Sequence, residues 1–138
     1  MALSLTRSVS FTARHRLFDE RLTPTENRAR FGETVDDHSH AYRVSVTLSG
    51  EPDPVTGILL DLGKLDRLLT DRVVQRLDGA HLNEAVSVFA SGGKLPTCEA
   101  LAAWLFDDLA SSLPPDLRLE RVRVAEDETL HADRTRTS

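Results

Sequence analysis

HSHAYRVSVTLSG, residues 38–50, decides how this chain folds and where its chemistry sits. Tyr42, Val44, Val46 and Leu48 share one parity, and Arg43, Ser45 and Thr47 the other. A period of two marks a half-buried β-strand. Successive strand side chains point to opposite faces, so His38 and His40 share a face and can grip one ion from one side. An earlier run alternates in the same way (Leu3, Leu5, Val9, Phe11, Ala13) and closes on His15. Antiparallel pairing lays the end of the first run beside the start of the second, which brings a third imidazole to the same place. Three neutral nitrogens with an open fourth position form the ligand set of a catalytic zinc, whereas structural zinc sites usually close with four ligands. The competing reading of a His-x-His pair is two surface or hydrogen-bonded histidines, and the remainder of the chain decides between the two.

Outward from this stretch, residues 3–14 read as a strand, and residues 16–37 are polar and irregular, a long loop or short helix. A loop of that length within a compact domain is usually functional. GEPDPVTG (50–57) is a turn cluster, and ILLDL (58–62) reads as a short strand entering a helix over 63–76. In that helix Leu65, Leu68, Leu69, Val73 and Leu77 fall at helical spacing. Residues 77–96 read as a loop. Thr97 is an N-cap for a second helix over 98–113, which SSLPP (111–115) ends. LRLERVRVAED (117–127) alternates as a strand, and a short tail strand follows. The order β–β–(β)α–α–β–β groups the helices together, which indicates an α+β fold with helices on one face of a sheet.

The 138 residues suit one domain, residues 1–138, able to bury a core without disulfides. One cysteine, Cys98, cannot bridge internally and fits a reducing, cytoplasmic setting. The N-terminus lacks a continuous apolar region of the signal-peptide kind, and no run of about 18 apolar residues suggests a membrane span. A net charge of −5 argues against nucleic acid as the main partner. The sequence shows no internal repeat and no low-complexity tract.

These landmarks resemble, in order and over nearly the whole chain, the 6-pyruvoyltetrahydropterin synthase / 6-carboxytetrahydropterin synthase family. FTARHRL looks like the family's first strand with its zinc histidine, and HSHAY like its HGHNY. DPVTGILLD resembles its D-P-x-T-G turn, LDGAHLNE its LDHxxLN, PTCEALAAWLFDDL its PTxENLAxWI helix, and VRVAEDE its last motif, VxVxET. The resemblance implies a T-fold: a four-stranded antiparallel sheet with two helices on one face. Subunits of that fold join edge to edge into a homo-oligomeric barrel, commonly a hexamer of two trimers, with the active site at a subunit interface. It further implies that His15, His38 and His40 ligate zinc and that a pterin-like small molecule is the substrate. Glu126 would anchor the pterin through paired N–H donors, and Thr97 and Glu99 would help line its pocket. Read from the residues alone, Glu126 is a solvated strand-end carboxylate, and Thr97 and Glu99 are an N-cap and a favourable first-turn acid.

The departures are equally specific. The family's catalytic cysteine, expected in the loop before HGH, is absent from FGETVDDHSH, where Thr34 stands four residues before His38. A threonine hydroxyl without a strong neighbouring base is a poor proton acceptor. In LDGAHLN, Asp78 remains but Gly79 replaces the histidine of the Asp–His couple, and His81 follows two residues later. Candidates to move protons are therefore His81 with Asp78, or a loop carboxylate among Glu33, Asp36 and Asp37. Cys98 reads as a small buried residue at a helix start, against the alternative of a relocated thiol activated there. Three readings follow. One is a zinc-dependent lyase of a reduced pterin side chain. The second is a zinc enzyme of the same fold diverted to another substrate, and the third a non-catalytic binder of a pterin-like ligand.

Overall fold

The computed structural model describes residues 3–90 and 92–137. Its frame is a four-stranded sheet: β1 (Leu3–His15), β2 (His38–Gly50), β3 (Arg118–Ala125) and β4 (His131–Thr135), in spatial order β1-β2-β3-β4 with every neighbour antiparallel. β1 and β2 pair without a break from Leu3↔Gly50 to His15↔His38. The alternation in both strands sorts side chains cleanly. Phe11, Ala13, Tyr42, Val44, Val46, Leu48, Leu119, Val122 and Val124 are buried on one face. The other face of β1 and β2 carries hydroxyls that pair across the strands, Thr6 with Thr47 at 2.8 Å and Ser8 with Ser45 at 2.7 Å. One register shift, between Thr47 and Leu48, lets β3 follow the twist of β2.

Helices pack on the apolar face. α1 (Pro24–Phe31) lies in the β1–β2 connection. α2 (Leu62–Leu69) runs through a π-turn at Thr70–Val74 into α3 (Gln75–Leu77); α4 (Leu82–Ala85) is one turn, and α5 (Cys98–Ala110) is the second long helix. The expected helix over 63–76 is thus present but widened at its middle. Its buried residues Leu65, Leu69, Val73 and Leu77 recur every four positions. A 3.6-residue turn would let such a row drift by about 40° per step; one wider turn returns Val73 and Leu77 to the sheet. α5 starts where Thr97 predicts, its hydroxyl accepting from Ala100 N–H at 3.2 Å. Leu101, Ala102, Leu105 and Leu109 complete a core with the sheet and α2–α3.

Two expectations need correction. Residues 58–62 form no strand. The Asp53 carboxylate accepts from Val55 and Thr56 N–H at 2.7 and 3.0 Å, and Asp53 N–H donates to Ile58 at 2.8 Å, so the segment closes on itself. Ile58 stays exposed, and Asp61 instead caps α2 through Lys64 N–H. The segment 77–96 is not plain loop, because Leu82, Val86 and Phe89 bury themselves and fold α4 and a 3₁₀ turn, Ser87–Phe89. Residues 16–37 resolve to their short-helix alternative. Thr23 and Glu26 form a reciprocal capping box at α1. Fully buried Asn27 ties the approach down, donating to the carbonyls of Asp19 and Thr23 and accepting from Asp19 N–H at 2.7 Å. A 3₁₀ turn, Gly32–Val35, then leads to β2.

Candidate active site

The β1–β2 register places His15 directly opposite His38, and Ala13 opposite His40. The three rings stand edge to face, with centroids 4.5 Å (His15–His38), 5.0 Å (His15–His40) and 4.9 Å (His38–His40) apart. One donor atom from each lies within 4.8 Å of the others. Backbone carbonyls fix two rings by their Nδ1 atoms: His15 on Pro96 at 2.8 Å and His38 on Asp36 at 2.8 Å. That leaves both Nε2 atoms for the cluster, the arrangement by which a carbonyl orients a metal-binding imidazole. His15 Nε2 is buried without a hydrogen-bond partner, a costly condition that a metal ion relieves. Burial, with help from the neighbouring histidine charges, pushes the His15 pKa down to about 4. The ring is therefore neutral near pH 7, as ligation requires. The residues fit a divalent ion of the zinc type.

Glu126, one residue past β3, reaches into this cluster. Its Oε2 lies 2.9 Å from His40 Nε2 and 3.8 Å from His15 Nε2. Thr97 and Glu99 sit at the start of α5, where the Pro96 carbonyl already meets His15. Thr97 uses its hydroxyl to cap the helix, and Glu99 is exposed in the first turn. Cys98 is a packed core residue: burial, then the charges of Glu126 and Glu99, push its thiol up to about 12. A relocated reactive thiol is therefore not what stands at this helix start. Thr34 spends its hydroxyl on the Phe31 carbonyl at 2.6 Å. Glu33 is exposed on the 3₁₀ turn, beside an open depression shared with Arg28, Asp36, Asp37 and His38.

His81 arrives from outside the sheet. The segment Asp78–His81 runs along the outer edge of β1: Gly79 N–H donates to Thr12 O at 2.7 Å, and Arg14 N–H to Ala80 O at 2.9 Å. The turn needs Gly79, whose φ of +74° most residues avoid. Asp78 and His81, joined in the sequence reading, are not partners. Asp78 Oδ1 accepts from Thr12 N–H at 2.9 Å, which fastens the segment to β1. His81 Nε2 instead meets Asp37 Oδ1 at 3.0 Å. That hydrogen bond, with Arg16 and Arg14 nearby, holds the Asp37 carboxyl below the usual carboxylate range. Both line a cavity of about 310 Å³ with Arg16, Phe18, Asn83 and Lys94.

Sequence reasoning missed three parts of this site: the His81–Asp37 pairing, the Pro96 carbonyl, and Tyr42. The buried Tyr42 hydroxyl lies 3.2 Å from His15 Nδ1, and burial raises its pKa. Tyr42 carried a signal, since it shares the parity of His38 and His40 and follows directly on their face. The other two rest on long-range contacts that no local pattern announces.

Comparison with known proteins agrees with this geometry. The sequence model of the 6-pyruvoyl tetrahydropterin synthase family matches residues 4–136. The human 6-pyruvoyl tetrahydrobiopterin synthase is 36% identical over 124 residues, covering 88% of this chain and 83% of the human one. A dihydroneopterin monophosphate aldolase from Pyrococcus furiosus is 30% identical over 89 residues, 64% of this chain and 69% of that one. The structure of Caenorhabditis elegans 6-pyruvoyl tetrahydropterin synthase superposes with a TM-score of 0.87 at 30% identity, covering 99% of this chain and 97% of that one. Strand order, histidine cluster and these likenesses converge: the chain belongs to the 6-pyruvoyl tetrahydropterin synthase family.

Proposed function

We propose that the protein is a zinc-dependent lyase that cleaves the side chain of a reduced pterin such as 7,8-dihydroneopterin triphosphate, by elimination or retro-aldol cleavage. The observation that carries this reading is the convergence of His15, His38 and His40 on one point with the Glu126 carboxylate beside them. Those three residues would hold the zinc, which polarises a side-chain oxygen when bound. Glu126 accepts paired N–H donors of the pterin ring, with Thr97 and Glu99 along the pocket wall. Either cleavage removes a proton from the side chain and returns one to a fragment. His81 is the group for that task, with Glu33 the loop alternative. Asp78 contributes by fastening the His81 segment to β1. The relatives are named for two outcomes, pyruvoyl-pterin synthesis and an aldolase reaction, and retro-aldol cleavage suits a chain whose loop holds acids and no cysteine.

The outer edge of β4, and that of β1 ahead of Thr12, support assembly of copies into a barrel, with the pterin pocket at a subunit interface, since an unpaired sheet edge invites another strand. Light scattering after size exclusion reads the assembly; a monomer at micromolar concentration would remove the barrel.

The decisive experiment incubates zinc-loaded protein with dihydroneopterin triphosphate and, separately, with dihydroneopterin, and follows products by mass spectrometry. Loss of triphosphate, or of a two- or three-carbon fragment, establishes the lyase and says which cleavage it performs. Absence of turnover by folded, zinc-loaded protein favours the second reading, a relative diverted to another substrate. That reading is motivated by Thr34 and Gly79, which stand where the family carries its cysteine and its histidine.

A further inference from the structure

The sheet face turned away from the helices is lined mainly by hydroxyls and arginines. The register places Ser8 opposite Ser45 across β1 and β2, and Arg123 and Arg121 opposite Ser45 and Thr47 across β2 and β3. Arg43 lies on the same face, two residues before Ser45. Facing residues stand about 4.8 Å apart across strands, and same-face neighbours about 6.6 Å apart along one, so three guanidinium arms surround the Ser8–Ser45 pair. Like charges this close on one face repel, and acids offset only part of them. Asp133 takes Arg123 with both oxygens, at 2.8 and 3.1 Å. Glu120 turns to Ser49 at 2.7 Å and to Arg136 at 3.5 Å. Arg43 and Arg121 have no ion pair among the described residues, and Arg121 reaches only the Thr47 hydroxyl, at 3.5 Å. The Ser8 and Ser45 hydroxyls lie 2.7 Å apart; one donates to the other, which leaves the second hydrogen for an outside acceptor. The centre of this face thus presents donors and two uncompensated positive charges, on a chain whose net charge is −5.

We propose that this face binds an oligophosphate, a chain of two or three phosphoryl groups recognised through its oxygens alone. The planar fork of an arginine takes two phosphate oxygens at once, and a ligand that only accepts hydrogen bonds matches a face of donors. The spacing sets the length of the ligand. Four residues, about 13 Å of strand, separate Arg43 from Thr47, which faces Arg121. A single phosphate meets one of these two arms well, whereas a phosphoryl chain lying over Ser45 offers acceptors to both and to the spare hydroxyl hydrogen. The ligand is distinct from any bound at the histidines. His38 and His40 share the parity of the buried Tyr42 and Val44, while Arg43 and Ser45 stand on the opposite side of β2, so either site stands or fails without the other. Assembly through the sheet edges leaves this face uncovered.

The test is a calorimetric titration of zinc-loaded, full-length protein at fixed ionic strength, with sodium tripolyphosphate as the probe and zinc content checked after each run. Binding should saturate, should be at least about tenfold tighter for tripolyphosphate than for orthophosphate, and should be no tighter for a nucleoside triphosphate. Arg43→Gln and Arg121→Gln should each weaken it about tenfold, and the two together should abolish it. Arg67→Gln, at an exposed position on α2, should leave it unchanged. Neither Arg43 nor Arg121 belongs to the core, and circular dichroism verifies that the variants fold. In ¹⁵N-labelled protein the amide shifts on adding the probe should centre on Ser45 and Arg123 rather than on His38 and His40. Binding kept by the double variant, an equal loss in Arg67→Gln, equal affinity for orthophosphate, or amide shifts confined to the histidine end of β2 overturns the proposal. A nucleoside triphosphate preferred more than about tenfold overturns it too, because recognition would then lie with the base rather than with the phosphates.

Discussion

The strand-borne histidines and the loop-borne histidine of this site are held by different means. His15, His38 and His40 stand on two strands that pair without interruption for thirteen residues, and their meeting follows from register alone. His81 stands at the head of a one-turn helix and reaches the same end of the sheet because Gly79 turns the chain and Asp78 and Ala80 hook it to β1. The first arrangement is rigid because a slip of one residue would turn every buried side chain of β1 or β2 to the wrong face. The second depends on a few contacts at a partly exposed edge. A metal grip tolerates little displacement, whereas a proton-moving group can be relocated on a loop provided something orients it. That difference separates three histidines placed by strand register from a fourth, His81, placed by a hooked loop.

The two regions should differ most in what a substitution does to bound metal, and the strand side carries that effect. His40→Ala removes one of the three proposed zinc ligands from a site that cannot recruit a replacement from β2, since its neighbours on that face are His38 and Tyr42. Metal content measured by plasma mass spectrometry should fall from one zinc per chain to nearly none, with the fold retained. Full occupancy would sink the site as drawn. The loop side should behave oppositely. His81→Ala should keep its zinc while turnover drops by about 10²–10⁴. An unchanged rate would take His81 out of the mechanism.

How far the sequence revealed each region follows the same division. The paired strands, the two long helices and the three histidines were legible because periodicity is a local property of the chain. The α1 helix carried its own signal in Thr23-Pro24-Thr25-Glu26, a capping box with proline at the first turn, although residues 16–37 are otherwise polar enough to read as loop. Ile58–Leu62 misled because a short apolar run has no period, and a strand forms only where another strand lies beside it. The π-turn is legible only once Leu65, Leu69, Val73 and Leu77 are known to share a face. The His81–Asp37 pair was not legible at all. The nearest carboxylates in sequence, Asp78 and Glu84, are each three residues away, and the one that reaches the ring is 44 residues away.

A smaller effect separates the regions by pH. Burial holds the His15 pKa at about 4, against an ordinary value of 6.5. As pH falls, the unfolded chain takes up this proton near 6.5 and the folded protein only near 4, so the unfolded state binds more protons in between. Stability is whole above about pH 6.5 and declines towards pH 4, by on the order of 3 kcal/mol from this group. Urea unfolding of chelator-treated protein at several pH values checks it, with His15→Gln as the reference that lacks the group. Equal pH dependence in the two proteins would show that His15 is not the cause.

The smallest expected effect lies at Gly79, and it discriminates best between holding a fold and placing a side chain. At φ +74° an added methyl meets nothing within 4 Å, so Gly79→Ala introduces backbone strain without a clash. The left-handed conformation disfavours alanine by about 1 kcal/mol. The chain has two ways to accommodate that. It can keep the turn and lose about 1 kcal/mol of stability, leaving turnover unchanged. Or it can relax the turn, which releases Gly79 N–H from Thr12 O and Arg14 N–H from Ala80 O and lets His81 drift from Asp37. In a region held by few contacts the second route is the cheaper, because the hooks lie at an edge where water can replace them. The expected outcome is a several-fold fall in kcat with unchanged zinc content and a loss of stability below about 1 kcal/mol. A full stability loss at wild-type kcat would show that the His81 segment is as rigidly held as the strands, and the contrast between the two regions would dissolve.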